Sequence, residues 1–80
     1  MNKKTLKQIL KLEGLNDTQI EVVSLVVKAK SNAAISETIG LDENRIIHVL
    51  NTVFDYMGFN TRAQLIVWCL PHMDFESLNK

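Results

Sequence analysis

The stretch from Glu43 to Met57 constrains this chain more than any other, because its apolar residues recur at helical spacing and never alternate. Stepping about 100° per residue, Ile46, Val49, Leu50, Val53, Phe54 and Met57 gather on one broad face, and that face belongs to a core. Asp42 precedes the stretch as a helix cap and Gly58 follows it as a stop. The opposite face is polar. It carries Asn44, His48, Asn51 and Asp55, with Ile47 on one margin and Arg45 and Thr52 on the other side. A helix of this kind needs neighbours over its apolar side and leaves its polar stripe bare.

The neighbours are helices too. Residues 3 to 13 set Leu6, Ile9, Leu10 and Leu12 among lysines and stop at Gly14, which predicts a short amphipathic helix. Asn16 followed by Gln19 has the side-chain pairing of a capping box for a second helix running to about Lys28. Its run Val22, Val23, Leu25, Val26, Val27 is β-branched enough for a strand, and its length and cap favour helix. Ser31 caps a third helix with Ala34, Ile35 and Ile39 facing inward and Gly40 at its end. Thr61 caps a fifth that Pro71 closes. The expected fold class is all-α: an amino-terminal helix or extension over 1–14, a compact domain over 15–70, and a fraying tail over 71–80.

At 80 residues the chain holds one domain and buries only about 60–65% of its unfolded surface, so a dimer partner would help. Nine Lys/Arg balance nine Asp/Glu, which removes the bulk attraction typical of nucleic-acid and membrane-surface binders. The balance is uneven along the chain: residues 1–30 hold six lysines and three carboxylates, and residues 31–80 hold three cations and six carboxylates. Cys69 is the only cysteine, which excludes an internal disulfide and a cysteine-rich zinc site and makes a reducing, cytoplasmic setting the expectation. No signal peptide is evident behind Lys3, Lys4 and Lys7, and the longest apolar run, Leu65 to Leu70, is far too short to span a membrane. His48 and His72 lack ligand-like spacing, and no base accompanies Cys69, read as a buried small hydrophobe; no metal, cofactor, small-molecule ligand or catalytic role is expected.

A short helix, the turn Gly40-Leu41-Asp42 and a longer helix with a polar outer face form a helix-turn-helix. The string Ala29-Lys30-Ser31-Asn32-Ala33-Ala34-Ile35-Ser36-Glu37-Thr38-Ile39-Gly40-Leu41 resembles the "GKSNKEIAERLGI" signature of the LuxR/GerE-type DNA-binding domain. Phe54, Met57-Gly58-Phe59 and Thr61-Arg62-Ala63-Gln64-Leu65 resemble that family's "F-x-K-L-G-V-x-S-R-A-Q-L" ending, and Leu15-Asn16 with Glu21-Val22-Val23 its opening. The resemblance covers residues 15 to 68 and implies a four-helix LuxR/GerE-type domain, here with a short extra helix in front, of the kind that ends bacterial transcription regulators or stands alone as a small protein. It departs at the recognition helix. The family's "K-T-V-K-x-H" run is Asn44-Arg45-Ile46-Ile47-His48-Val49 here, so a frequent contact lysine is Ile47, and Asn51, Asp55 and Tyr56 stand where further cations are common.

These readings assign residues to roles. Asn44, Ile47, His48 and Asn51 are the candidate base readers: Asn pairs with an adenine edge, an isoleucine methyl suits the thymine methyl, and His donates to guanine. Lys30, Ser31, Asn32, Arg45 and Arg62 are the candidate phosphate anchors, with Asp55 opposing them. The lysines of the first helix, Lys3, Lys4, Lys7 and Lys11, are read as solvated. The segment Thr61 to Leu70 has two apolar sides. Ala63, Ile66, Val67 and Leu70 are assigned to the core, and Gln64, Leu65, Trp68 and His72 to a dimer interface, the use the resemblance implies for this helix. The expected protein is a non-enzymatic, cytoplasmic transcription regulator that binds double-stranded DNA as a homodimer, governed by its own abundance or by a partner. The alternative is a degenerate relative that binds DNA weakly and pairs as a heterodimer with a fuller regulator to block it.

Overall fold

The computed structural model describes residues 4–73 and builds them entirely from helices. Helix α1 runs Leu6–Leu12, α2 Asp17–Val26, α3 Asn32–Ile39, α4 Glu43–Met57 and α5 Arg62–Cys69, and a 3-10 turn, Leu70–His72, follows around Pro71. Lys3 and the tail beyond Met73 lie outside the described residues, and with them the expected fraying.

Each start is a side-chain cap. Asn16, Ser31, Asp42 and Thr61 accept from the backbone N–H three residues on, as their positions predict. Thr5 does the same for α1 and forms a capping box with Gln8, so that helix begins three residues later than its lysine pattern predicts. Gly40 and Gly58 end α3 and α4 in the left-handed conformation, at φ +85° and +79°. The β-branched run of α2 is helical because Val22, Val23 and Val26 are driven into the interior, where tertiary burial outweighs their modest strand preference.

α4 packs across α2 and α3, α2 also meets α3, and α1 lies along α2. The single core joins Ile46 and Val53 of α4 to Val22, Val23 and Val26 of α2, Ile35 of α3, Leu65 and Cys69 of α5, and Leu10 of α1, all fully buried. Phe54 and Met57 close the edge of the α4 face half-buried. α1 is therefore part of this core. A second tie secures it: the Tyr56 hydroxyl, near the end of α4, donates to the Glu13 carbonyl at 2.6 Å.

One expectation is reversed. Leu65, assigned outward as a dimer residue, is fully buried, whereas Val67, assigned to the core, is 62% exposed, and Ala63 and Leu70 are exposed beside it. Both sides of α5 are apolar, so periodicity could not rank them. Leu65 and Cys69 face the interior, and Arg62 at the helix start bonds to Asn32 of α3.

Candidate nucleic-acid interface

The outer stripe of α4 is uncovered. Asn44, Ile47, His48, Asn51 and Asp55 are all exposed, because Ile46, Val49, Leu50 and Val53 draw the opposite side into the core. Ile47 is 43% exposed, an apolar spot on an otherwise polar surface. The turn before it is held by Ser36, whose hydroxyl donates to the Leu41 carbonyl, and by Asp42 Oδ1, which accepts from the Arg45 N–H at 2.8 Å.

The five expected phosphate anchors divide into two groups. Arg45 and Lys30 are exposed, and neither has an ion pair among the described residues. The other three are engaged inside the protein. Arg62 reaches across to the start of α3, donating from Nη1 to Asn32 Oδ1 at 2.9 Å and from Nη2 to the Lys30 carbonyl at 2.8 Å. Ser31 Oγ accepts from the Ala34 N–H at 3.1 Å. Arg62 and Asn32 thus brace the loop before α3. The brace occupies one N–H on each terminal nitrogen of Arg62 and the oxygen of Asn32, so the remaining guanidinium N–H groups and the Asn32 NH2 have no partner among the described residues. The braced loop contains Ala29 at φ +65°, a left-handed conformation costly for a residue with a Cβ.

Among the α1 lysines, Lys7 pairs with Glu21 of α2 at 3.1 Å, both more than half exposed, a contact worth well under about 1 kcal/mol. Lys4 and Lys11 are exposed.

The other margin of α4 faces α2 across an open groove of about 220 Å³, floored by Val49. Arg45, His48 and Thr52 line it from α4, and Asn16, Thr18 and Gln19 from the start of α2. Nothing in the sequence pointed to Thr18, since this juxtaposition joins segments almost thirty residues apart. Asn16 and Gln19 were legible only as a cap.

The four expected dimer residues are placed differently from one another. Gln64 Oε1 accepts from the Thr61 N–H at 3.2 Å and from the Asn60 N–H, which makes it a cap. Trp68 is half-buried against the core, its ring 5.3 Å from that of His72 and tilted by 54°. Leu65 belongs to the interior. The face that α5 leaves exposed is Ala63, Val67 and Leu70. Cys69 is buried, and burial pushes its thiol up from 9.0 to about 11, so it is protonated and unreactive at neutral pH.

Among the described residues no three His, Cys, Asp or Glu side chains cluster to hold a metal ion, and no helix is long and apolar enough to cross a membrane. Comparison with protein-family models, with curated proteins and with solved structures finds no match to this chain.

Proposed function

We propose that this protein is a small DNA-binding transcription regulator of LuxR/GerE type, in which α3 and α4 act as a helix-turn-helix and α4 enters the major groove. The observation that carries the reading is the bare stripe on α4. Two helices are joined by the three-residue turn Gly40-Leu41-Asp42, and the second keeps Asn44, His48 and Asn51 clear of every packed surface. Side-chain amides and an imidazole read base edges without net charge. Arg45 and Lys30 supply phosphate contacts. Homodimer formation through the exposed Ala63, Val67 and Leu70 face of α5 would present two such helices to a two-fold site.

The test is a fluorescence-anisotropy titration of random-sequence duplex against salt. Micromolar binding at low salt is expected, with log K falling as log salt rises by about 0.9 per phosphate contacted. No binding at low salt would refute the reading. It would leave the alternative, a protein that pairs through α5 with a fuller regulator, which the exposed Ile47 and Val67 favour.

A further inference from the structure

We propose that the groove between α2 and α4 seats a phosphate of the DNA backbone, held by side-chain donors from both helices; this rests on the DNA-binding reading above. Which hydrogen-bonding atoms are already occupied decides the chemistry of the groove. In the α2 capping box, Asn16 Oδ1 accepts from the Gln19 N–H and Gln19 Oε1 accepts from the Asn16 N–H, each at 2.8 Å. Both amide oxygens are engaged, so what these side chains still offer is their NH2 ends, which only donate. Arg45 is likewise a donor only and carries a permanent charge. The Thr18 hydroxyl has no partner among the described residues, and Thr52 donates to the His48 carbonyl at 3.0 Å. No carboxylate lines the groove; Asp17, the neighbouring residue on α2, is not among its walls.

An open groove that offers several side-chain donors and one cation, with no carboxylate, suits an anion with several acceptor oxygens. A backbone phosphodiester meets that need, and the location suits it. Arg45 and Thr52 sit on α4 beside the reading stripe, and His48 of that stripe borders the groove, so a strand passing this margin reaches the groove while Asn44 and Asn51 reach bases. The seat makes α2 a second clamp on the backbone, in addition to the cations at the starts of α3 and α4. Free inorganic phosphate shares the chemistry, and the experiment separates the two.

The variant is Thr18→Glu, which places a carboxylate in the groove. An acidic residue in the first turn of a helix favours folding, so loss of binding is not loss of structure. Gln8→Glu is the control: it makes the same charge change at the third position of the α1 capping box, where glutamate serves equally well. Duplex binding is measured against salt for the unaltered chain and both variants. Thr18→Glu is expected to weaken binding about tenfold and to flatten the salt slope by about 0.9 per site lost, with Gln8→Glu within about twofold of the unaltered chain. Equal behaviour of the two variants overturns the phosphate seat and leaves the DNA-binding reading standing. Failure of the unaltered chain to bind duplex overturns both. In a second arm, inorganic phosphate is titrated while amide resonances are followed. Shifts at Thr18 and Arg45, with duplex binding indifferent to Thr18→Glu, would overturn the backbone assignment in favour of a free anion.

Discussion

Helices α4 and α5 are both built largely from apolar residues, yet one declared its inner face in the sequence and the other did not. In α4 the apolar residues occupy a single side, so burying any other face would have placed Asn44, His48, Asn51 and Asp55 in the core without partners. In α5, Leu65, Trp68 and Cys69 make one apolar side and Ala63, Ile66, Val67 and Leu70 another. Either could be buried at similar local cost. The choice falls to packing with the other helices, and it leaves Val67 and Leu70 facing outward. A one-sided pattern is thus a structural instruction, whereas a two-sided one leaves the buried side to be settled by packing against the rest of the chain.

The contrast is tested most sharply at Leu65. Leu65→Ala removes a fully buried side chain and should lower the unfolding free energy by about 3 kcal/mol, whereas Val67→Ala, measured at a dilution where the chain is monomeric, should change it by less than about 0.5 kcal/mol. Urea unfolding of the two variants in parallel decides it, and equal losses would restore the reversed assignment.

Cys69 probes the same inner side through pH. Its folded pKa of about 11 lies above the ordinary 9.0, so the unfolded chain releases the thiol proton first. The stability linked to this group is complete below about pH 9 and is lost as pH rises toward 11. At about 1.4 kcal/mol per unit, the loss is about 2–3 kcal/mol. Unfolding midpoints of the unaltered chain should fall over that window relative to those of a Cys69→Val variant. Parallel curves would place the thiol in contact with water.

The far end of α4 offers a smaller effect. Gly14 sits at φ +103°, and a Cβ there would stand 2.5 Å from the Tyr56 hydroxyl oxygen, displacing it from the Glu13 carbonyl. Gly14→Ala should cost about 1–2 kcal/mol, and Tyr56→Phe about 1 kcal/mol. In a double-mutant cycle the pair should be less than additive, because each change breaks the same tie. Strict additivity would separate the glycine from the tyrosine.

The smallest expected change is a gain. Ala29→Gly relieves a left-handed alanine in the loop braced by Arg62 and should stabilise the fold by about 0.5–1 kcal/mol in thermal unfolding. A loss instead would mean that the alanine methyl packs usefully where it stands.

Much of the fold was legible because it depends on local rules. Four of the five caps, both left-handed glycine ends of α3 and α4, and the inner face of α4 follow from residues within a few positions of one another. The candidate site was legible only in part. Asn44, Ile47, His48 and Asn51 could be placed on a bare face from the α4 period alone, and Arg45 beside them. The brace from Arg62 to the start of α3 was not legible, because a charge near a helix start looks the same in sequence whether it faces water or a carbonyl thirty residues away.

The sequence by itself determined that the chain is helical, where four of its five helices begin, and which side of α4 stays exposed, since each is set by period, capping chemistry and the cost of burying polar groups. Only the tertiary structure decided which side of α5 is core, that Leu10 of α1 belongs to the same interior, that Arg62 braces a loop, and that Thr18 meets Arg45 across a groove. Those outcomes depend on distances between residues far apart in the chain, and no local pattern carries that information.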